Sequence, residues 1–325
     1  MSLKKISFRE AIREALDEEL RRDSSVFLIG EDIGFYGGTN KVTEGLYKKY
    51  DGRILDTPIS ESAIIGAALG AAVTGFRPVA EIMFMDFITV AMDQIVNQVS
   101  KMRYMSGGQV EVPLTVRTPE GAGRSAAAQH SQSLEAWLVH TPGLLVVVPS
   151  TPYNAKGLLK SAIRDNNPVI FIENKMLYND IGEIPEDEYT IPLGEANVLK
   201  EGSELTIIAY GKTVKYALGA VNYFKDRLSI EVIDLQSLVP IDYETVITSV
   251  KKTGNILICH EAVRRCGVGA EIASVIYEKA FDFIDSPIKI LGSKNTPIPF
   301  SPVLENYIIP DEEKIIEEIN NNYFK

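Results

Sequence analysis

The stretch LDTPISES, residues 55–62, decides how the first part of this chain folds. Its first residues end a strand, Pro58 bends the chain, and Glu61 falls at the start of a predicted helix, whose helical pattern covers residues 62–74. The residues that follow, AIIGAALGAA, are apolar and small, so a carboxylate among them is costly to keep charged without a partner. Glu61 is therefore a candidate acid or proton-sharing group. A glutamate placed there only by the helix dipole is the competing interpretation.

Strand-length apolar runs alternate with helical patterns along most of the chain. The predicted strands cover residues 26–29, 78–84, 112–117, 144–148, 169–172, 205–210, 230–235, 256–260 and 287–291. The predicted helices after residue 60 cover residues 62–74, 85–104, 155–165, 213–224 and 269–280. This alternation predicts an α/β fold built on parallel sheets with helices on both faces. Residues 181–204 break the rhythm and are predicted to link a first domain, residues 1–180, to a second, residues 205–325.

Length, net charge and cysteine content argue against several classes of protein. A length of 325 residues predicts two domains, and a net charge of −11 argues against nucleic acid as a partner. No apolar run is long enough for a membrane span, and the N-terminal residues lack the apolar core of a signal peptide. The two cysteines form no CxxC pair, which indicates a reducing, cytoplasmic location.

His130 lies in a predicted loop of small residues, AAAQHSQS, over residues 126–133. Loops at the carboxyl ends of parallel strands are where such sheets bind ligands, and an imidazole exchanges protons near neutral pH. His130 is thus a candidate proton donor or acceptor, and an ordinary exposed loop histidine is the alternative. Phe87, at the entry of a predicted helix, is either a core aromatic or a surface for stacking a flat ring.

Two further motifs each have an ordinary alternative. The GAGRSA stretch, residues 121–126, matches the loose dinucleotide pattern, but no helix clearly starts within it and the expected acidic residue is out of register. A role in binding cofactor phosphate is therefore disfavoured. At residues 161–168, helix-terminal carbonyls followed by Asp165 and two asparagines can hold a hard monovalent cation, although such turns are usually structural.

Taken together, these pieces resemble the beta subunit of the thiamine-diphosphate-dependent decarboxylating component of 2-oxo acid dehydrogenase complexes. The matching stretches are LIGED (28–32), DTPISE (56–61), AQHSQ (128–132), KGLLK (156–160), IRDNNP (163–168) and GVGAEI (267–272). The resemblance implies a pyrimidine-type thiamine-diphosphate-binding domain over residues 1–180, followed by a transketolase C-terminal-like α/β domain.

The resemblance also implies roles for individual residues. Glu61 matches the glutamate that hydrogen-bonds the cofactor aminopyrimidine, and Phe87 matches the aromatic residue that packs on that ring, with Ile59 and Met83 as further cofactor contacts. His130 matches a histidine that transfers a proton during acyl transfer to lipoamide. A potassium site matches Leu114, Ala162, Ile163, Asp165 and Asn167.

A missing motif points to a partner subunit. Thiamine-diphosphate enzymes usually carry Gly-Asp-Gly followed by Asn-Asn to hold magnesium and the diphosphate, and this chain has no Gly-Asp-Gly. The family expectation is that an alpha subunit supplies this half in an alpha-2-beta-2 heterotetramer. A dihydrolipoyl acyltransferase core is the expected partner of the assembled enzyme.

The expected activity is oxidative decarboxylation of a 2-oxo acid, pyruvate or branched-chain, with reductive acylation of lipoamide. The alternatives are an acetoin dehydrogenase beta subunit and a non-catalytic assembly module of the same fold. A self-sufficient transketolase-like enzyme is disfavoured by the missing diphosphate motif.

Overall fold

The computed structural model describes residues 2–323; Met1, Phe324 and Lys325, the outer ends of the two predicted domains, lie outside the described residues. The chain divides into two compact units. The first contains the residues up to Glu120 together with Trp137–Leu193, and the second contains Gly121–Ala136 together with the residues from Gly194 onward. Residues 121–136 thus group with the second unit, whereas the sequence assigned them to the first domain.

The first unit is an α/β layer structure. Six parallel strands follow the order β6–β7–β5–β4–β2–β3, and β1 pairs with β8 in a separate antiparallel ribbon. The strands are β1 (Leu3–Ser7), β2 (Val26–Gly30), β3 (Ile54–Asp56), β4 (Arg77–Glu81), β5 (Thr115–Glu120), β6 (Leu145–Val147), β7 (Val169–Asn174) and β8 (Ile181–Pro185). The helices are α1 (Phe8–Arg22), α2 (Leu46–Lys49), α3 (Glu61–Ala72), α4 (Ser100–Met105), α5 (Glu135–Val139, which begins in the second unit) and α6 (Pro152–Arg164).

Local sequence explains where these elements start. The Ser7 hydroxyl caps α1 while the Glu10 side chain reaches back to the Ser7 backbone, a complete capping box. Thr151 caps α6, and Pro152 occupies the first turn, where its missing N–H costs nothing. Every residue of β5 and β7 is buried, as expected for central parallel strands covered on both faces.

The predicted long helix over residues 85–104 is wrong in detail. The structure has a 3-10 segment at Met85–Ala91, a π-helical segment at Gln94–Val99 and only then α4. The Thr89 hydroxyl donates to the Asp86 carbonyl three residues back, which supports a tight turn in place of an α-helical one. Apolar periodicity alone does not distinguish these helix types, and π segments are frequent at functional sites.

The second unit has a five-stranded sheet in the order β14–β13–β10–β11–β9, in which only β9 is antiparallel to its neighbour. The strands of the second unit are β9 (Asn197–Lys200), β10 (Leu205–Ala209), β11 (Ile230–Asp234), β12 (Ser237–Val239), β13 (Ile256–Val263) and β14 (Lys289–Ser293). Of these, β12 lies outside the five-stranded sheet. The helices of the second unit are α7 (Lys212–Phe224), α8 (Tyr243–Thr253), α9 (Val268–Ala280), α10 (Pro302–Ile308) and α11 (Glu312–Tyr323).

The predicted α/β class with parallel sheets is confirmed by these two units. The predicted linker, residues 181–204, holds two short strands, β8 and β9. None of the helices within residues 2–323 combines the length and apolarity that crossing a membrane requires.

Candidate active site

The candidate site of the first unit lies where three parallel strands end together. Gly30, the last residue of β2, is in register with Asp56 of β3 and Glu81 of β4. The residues that follow these strands therefore emerge at one edge of the sheet, the carboxyl edge where open α/β sheets bind ligands. Glu31 follows β2, and the segment leading to Glu61 follows β3.

Glu61 begins α3, as the sequence predicts. Its side chain is half-buried, although the sequence indicated full burial, because Ile59 and Ser60 before it are exposed and leave the first turn open on one side. Among residues 2–323 no cation pairs with this carboxylate and no group donates a hydrogen bond to it. The chain thus presents an uncompensated carboxylate at the open edge of its sheet.

Glu31 is a second carboxylate near Glu61, and sequence reasoning missed it. Burial raises the pKa of Glu31, and the negative charges of Asp32 and Glu61 raise it further. The Glu31 carboxyl therefore holds a proton more readily than a free glutamate does. Its signal in the sequence was an acidic pair placed directly after the buried strand β2.

Apolar side chains occupy the segments that leave the same edge of the sheet. Ile59 is 74% exposed, and Met83 and Phe87 are half-buried, so Phe87 is not a fully buried core residue. Phe87 meets Phe84 edge to face with ring centroids 5.8 Å apart. The 3-10 segment that carries Phe87 packs against α3, where the Ser62 hydroxyl donates to the Val90 carbonyl at 2.7 Å.

The same edge holds a buried polar atom that has no hydrogen-bond partner among residues 2–323, the Thr57 hydroxyl oxygen. A buried hydroxyl left in this state is costly and calls for an explanation. An apolar wall beside carboxylates and an orphan hydroxyl suits a flat heteroaromatic ring with nitrogen atoms at its rim. The residues present therefore fit the aminopyrimidine of thiamine diphosphate.

Asp56 orders the loop that follows Glu31. Its carboxylate accepts hydrogen bonds from the backbone of Gly34 at 2.6 Å and of Phe35 at 3.3 Å. A side-chain carbon at Gly34 would lie 2.4 Å from a carboxylate oxygen of Asp56, so a larger residue there would displace this carboxylate from the loop. The DTPISE stretch thus supplies both a candidate reactive carboxylate and the group that fixes the neighbouring loop.

The structure brings the five predicted potassium ligands together where α6 ends and β7 begins. Leu114 and Ala162 use their carbonyl oxygens to accept backbone hydrogen bonds from Val169 at 2.9 Å and Asp165 at 3.3 Å. Arg77, which sequence reasoning missed, donates to the carbonyls of Ile163 and Asp165 at 3.1 and 2.9 Å. Arg103 donates to the Asn167 side-chain oxygen at 2.6 Å.

These oxygen atoms fit a hard monovalent cation, because a carbonyl that accepts one hydrogen bond keeps a second lone pair. The guanidinium of Arg77 opposes such a cation electrostatically, since it already lies against two of the oxygens. No group of three or more histidine, cysteine or acidic residues suited to a metal occurs within residues 2–323.

His130 belongs to the second unit, whereas the other predicted site residues belong to the first. It is half-buried, and its backbone N–H donates to the Ala127 carbonyl at 3.4 Å. The loop before it is unusual, because the non-glycine residues Ser125 and Ala127 have φ angles of 52° and 60°. His260, which lies in the buried strand β13, is packed among glycines and has a pKa lowered to about 4 by burial.

Comparisons with known proteins agree with this architecture. The family model "Transketolase, pyrimidine binding domain" matches residues 4–180, and "Transketolase, C-terminal domain" matches residues 194–315. A solved split-gene transketolase, described as an inactive beta4 tetramer, has a TM-score of 0.80 over 97% of both chains at 22% identity, which shows a likeness of fold. The transketolase of Campylobacter jejuni has a TM-score of 0.73 at 14% identity, over 98% of this chain and 47% of its own.

Two curated relatives are much more similar in sequence. The acetoin:2,6-dichlorophenolindophenol oxidoreductase subunit beta of Bacillus subtilis (strain 168) is 48% identical over 325 residues, covering 96% of this chain and 95% of the relative. The pyruvate dehydrogenase E1 component subunit beta of Gracilaria tenuistipitata var. liui is 47% identical over 314 residues, covering 96% and 97%. With both domain models matched and such relatives aligned over nearly their whole length, this chain belongs to the beta-subunit family of thiamine-diphosphate-dependent 2-oxo acid dehydrogenases.

Proposed function

We propose that this chain is the beta subunit of an enzyme that oxidatively decarboxylates a 2-oxo acid, pyruvate or branched-chain, and passes the acyl group to lipoamide. The observation that carries the proposal is the unpaired, half-buried carboxylate of Glu61 beside Glu31, at a sheet edge where Ile59 is exposed and Met83 and Phe87 are half-buried. Such a surface gives the carboxylate a protein environment on one side only. A ring nitrogen placed on the other side supplies the missing hydrogen-bond partner.

Thiamine diphosphate, when bound, supplies the nucleophilic carbon and the electron sink for decarboxylation. Glu61 would share a proton between its carboxyl oxygen and a ring nitrogen of the cofactor's aminopyrimidine. Phe87, Ile59 and Met83 would contact the ring and exclude water from this carboxylate. Exclusion of water strengthens the interaction, because the local dielectric falls.

An alpha subunit completes the site in an alpha-2-beta-2 heterotetramer. The support is the sequence, which has no Gly-Asp-Gly motif for magnesium and diphosphate. His130 moves a proton to or from the lipoamide sulfur during acyl transfer. A potassium ion held by the five oxygens near the end of α6 stabilises this edge of the first unit's sheet. A dihydrolipoyl acyltransferase core binds the assembled enzyme in the cytoplasm.

Acetoin cleavage is a second candidate function. A relative named for acetoin and one named for pyruvate are 48% and 47% identical to this chain, so overall similarity does not separate the two substrates. A purely assembling role is disfavoured because Glu61, Phe87 and His130 are all present.

The test is reconstitution with an alpha subunit that carries the Gly-Asp-Gly motif missing from this chain. The purified pair is assayed for reduction of 2,6-dichlorophenolindophenol with pyruvate, branched-chain 2-oxo acids and acetoin in turn, and the chain is also assayed alone. We expect activity of the pair on one substrate class and none from the chain alone. Full activity of the isolated chain contradicts the division of the site between two subunits.

A further inference from the structure

The second unit contains a loop, residues 121–127, whose backbone adopts an energetically unfavourable conformation. Gly121 and Gly123 have φ angles of 94° and 108°, and Ser125 and Ala127, which are not glycines, have φ angles of 52° and 60°. Residues with a side chain rarely adopt this left-handed conformation. It persists only where the surroundings over-determine it.

Two buried carboxylates hold this loop. Glu305 of α10 accepts hydrogen bonds from the backbone N–H groups of Gly123 at 2.8 Å and of Ser125 at 3.0 Å, one on each carboxylate oxygen. Glu261 of β13 accepts from the Ala122 N–H. Glu305 and Glu261 are only 2% and 7% exposed, so water competes little for these bonds.

This hydrogen bonding gives the GAGRSA motif, residues 121–126, a structural role that requires no bound nucleotide. Successive N–H groups turned inward by alternating backbone conformations form a concave site for an anion. Here the anion is the protein's own carboxylate, delivered from α10, 182 residues further along the chain than Gly123. The second carboxylate is fixed in turn, because the Lys212 ammonium lies 2.8 Å from the other oxygen of Glu261.

The loop leads directly into His130. The Gly121 N–H donates to the Gln132 carbonyl and the His130 N–H donates to the Ala127 carbonyl, both at 3.4 Å. These two bonds are long and therefore weak. The charge-assisted bonds to Glu305 are the stronger restraint on the same segment.

We propose that Glu305 is a positioning residue for His130: its carboxylate fixes the 121–127 loop and thereby the place of the imidazole. This inference rests on the proposed function, which assigns His130 to acyl transfer. Glu305 neither touches substrate nor exchanges a proton in this scheme. Its contribution is to remove the freedom of the segment that carries the reactive group.

The test uses the Glu305→Gln variant in the assembled alpha–beta enzyme. Glutamine has the same shape, but its amide group places an N–H against one of the two backbone donors. We expect hydrogen exchange of the peptide covering residues 121–130 to become faster, measured by mass spectrometry. We expect lipoamide-dependent turnover to fall on the order of tenfold or more, while reduction of 2,6-dichlorophenolindophenol changes less than twofold.

A matched control is Glu231→Gln. Glu231 is also 2% exposed in the second unit and accepts from the Gly202 N–H at 3.2 Å, but it pairs with Lys252 and bonds no residue of the loop. It is expected to lower thermal stability without a selective loss of the lipoamide step. Glu305→Asp keeps the charge and shortens the side chain, so it gives a milder defect of the same kind and serves if Glu305→Gln folds poorly.

The outcomes separate this inference from the proposed function. Unchanged exchange in the loop, or an equal loss of both activities, overturns the role of Glu305. Adding His130→Ala to Glu305→Gln should cost no more than His130→Ala alone, and full additivity also overturns it. If the wild-type pair decarboxylates nothing, the proposed function is refuted, and the exchange measurement still decides whether Glu305 holds the loop.

Discussion

Arg77 donates from a single guanidinium nitrogen to the carbonyl oxygens of both Ile163 and Asp165, at 3.1 and 2.9 Å. A charged side chain at the start of β4 thereby ties down the end of α6. The same two oxygens belong to the proposed potassium site. A potassium ion at the proposed site and the Arg77 guanidinium therefore contact the same two carbonyl oxygens.

Removal of potassium is expected to lower thermal stability. Replacing 100 mM potassium chloride by choline chloride should reduce the melting temperature by a few degrees, because an ion that binds only the folded chain stabilises it by mass action. The Arg77→Met variant should be less stable overall and more dependent on potassium, since the repulsion between the two cations is gone. Equal melting temperatures in both salts contradict a potassium site here.

Glu61→Gln is expected to lower decarboxylation by about 10²–10⁴-fold, the usual range for loss of a proton-transferring group. The amide keeps the size of the side chain but cannot share a carboxyl proton. Assembly with the alpha subunit should be unchanged in size-exclusion chromatography. Glu244→Gln, which alters an exposed glutamate in the first turn of α8, is the control and should leave the rate as it was. A near-normal rate for Glu61→Gln removes this residue from the mechanism.

His130→Ala should separate the two halves of the reaction. We expect lipoamide-dependent turnover to fall about 10²-fold or more, while the reaction with an artificial acceptor keeps most of its rate, because that acceptor takes electrons without acyl transfer to sulfur. His140→Ala, at an exposed histidine of the same sequence region, is the control. Comparable losses in both assays contradict a role confined to acyl transfer.

His260 makes stability depend on pH. Burial lowers the pKa of His260 to about 4, although the Ala262 carbonyl 3.1 Å from its Nδ1 favours the charged ring. Because the folded pKa lies below the unfolded one, this contribution is fully present above about pH 6.5 and is lost as the pH falls toward 4. Linkage gives a loss of about 2 kcal/mol between pH 7 and pH 5 from this residue.

The His260→Asn variant tests this assignment, since asparagine can keep the hydrogen bond to Ala262 but does not titrate. Gly267, Gly269 and Gly292 pack so closely on the imidazole that a side-chain carbon at any of them would lie within 3 Å of the ring. The smaller asparagine therefore leaves a void and lowers stability at pH 7. Its unfolding free energy should nevertheless fall less steeply than that of the wild type between pH 7 and 5, in urea titrations.

Arg117 binds two carboxylates inside the first unit. It binds Glu173 through two nitrogens at 2.7 and 2.9 Å and Glu81 through the third at 2.6 Å, and Tyr178 donates to Glu173 at 2.7 Å. Arg117→Met should cost about 3–5 kcal/mol, because it leaves buried charges uncompensated. Tyr178→Phe removes one hydrogen bond and should cost about 1–3 kcal/mol. Urea unfolding measures both, and a loss for Arg117→Met no larger than that for Tyr178→Phe contradicts this account.

The features that the sequence predicts correctly are those that depend on residues close together along the chain. The alternation of strands and helices and the place of Glu61 in the first turn of α3 both follow from local patterns. The segment over residues 85–104 was predicted as one regular helix, because the apolar spacing does not reveal its 3-10 and π turns. The domain limits at 180 and 205 stay predictions.

Contacts between distant parts of the chain were beyond that reasoning. Glu31 comes near Glu61 only because β2 and β3 pair in register. Arg77 meets the end of α6 across 86 residues, and Glu305 meets the loop before His130 across about 180. Nothing in the local sequence of either segment indicates its partner.

Ile59 has consequences for how the protein must be made. Ile59 has 74% of its surface exposed to water and Phe35 has 85%, so the isolated chain presents large apolar side chains that favour association. In the proposed heterotetramer the alpha subunit covers these side chains, so a cell that makes this subunit in excess exposes them to other nascent chains. We therefore expect heterologous expression of this chain alone to give more precipitation than co-expression with the alpha subunit.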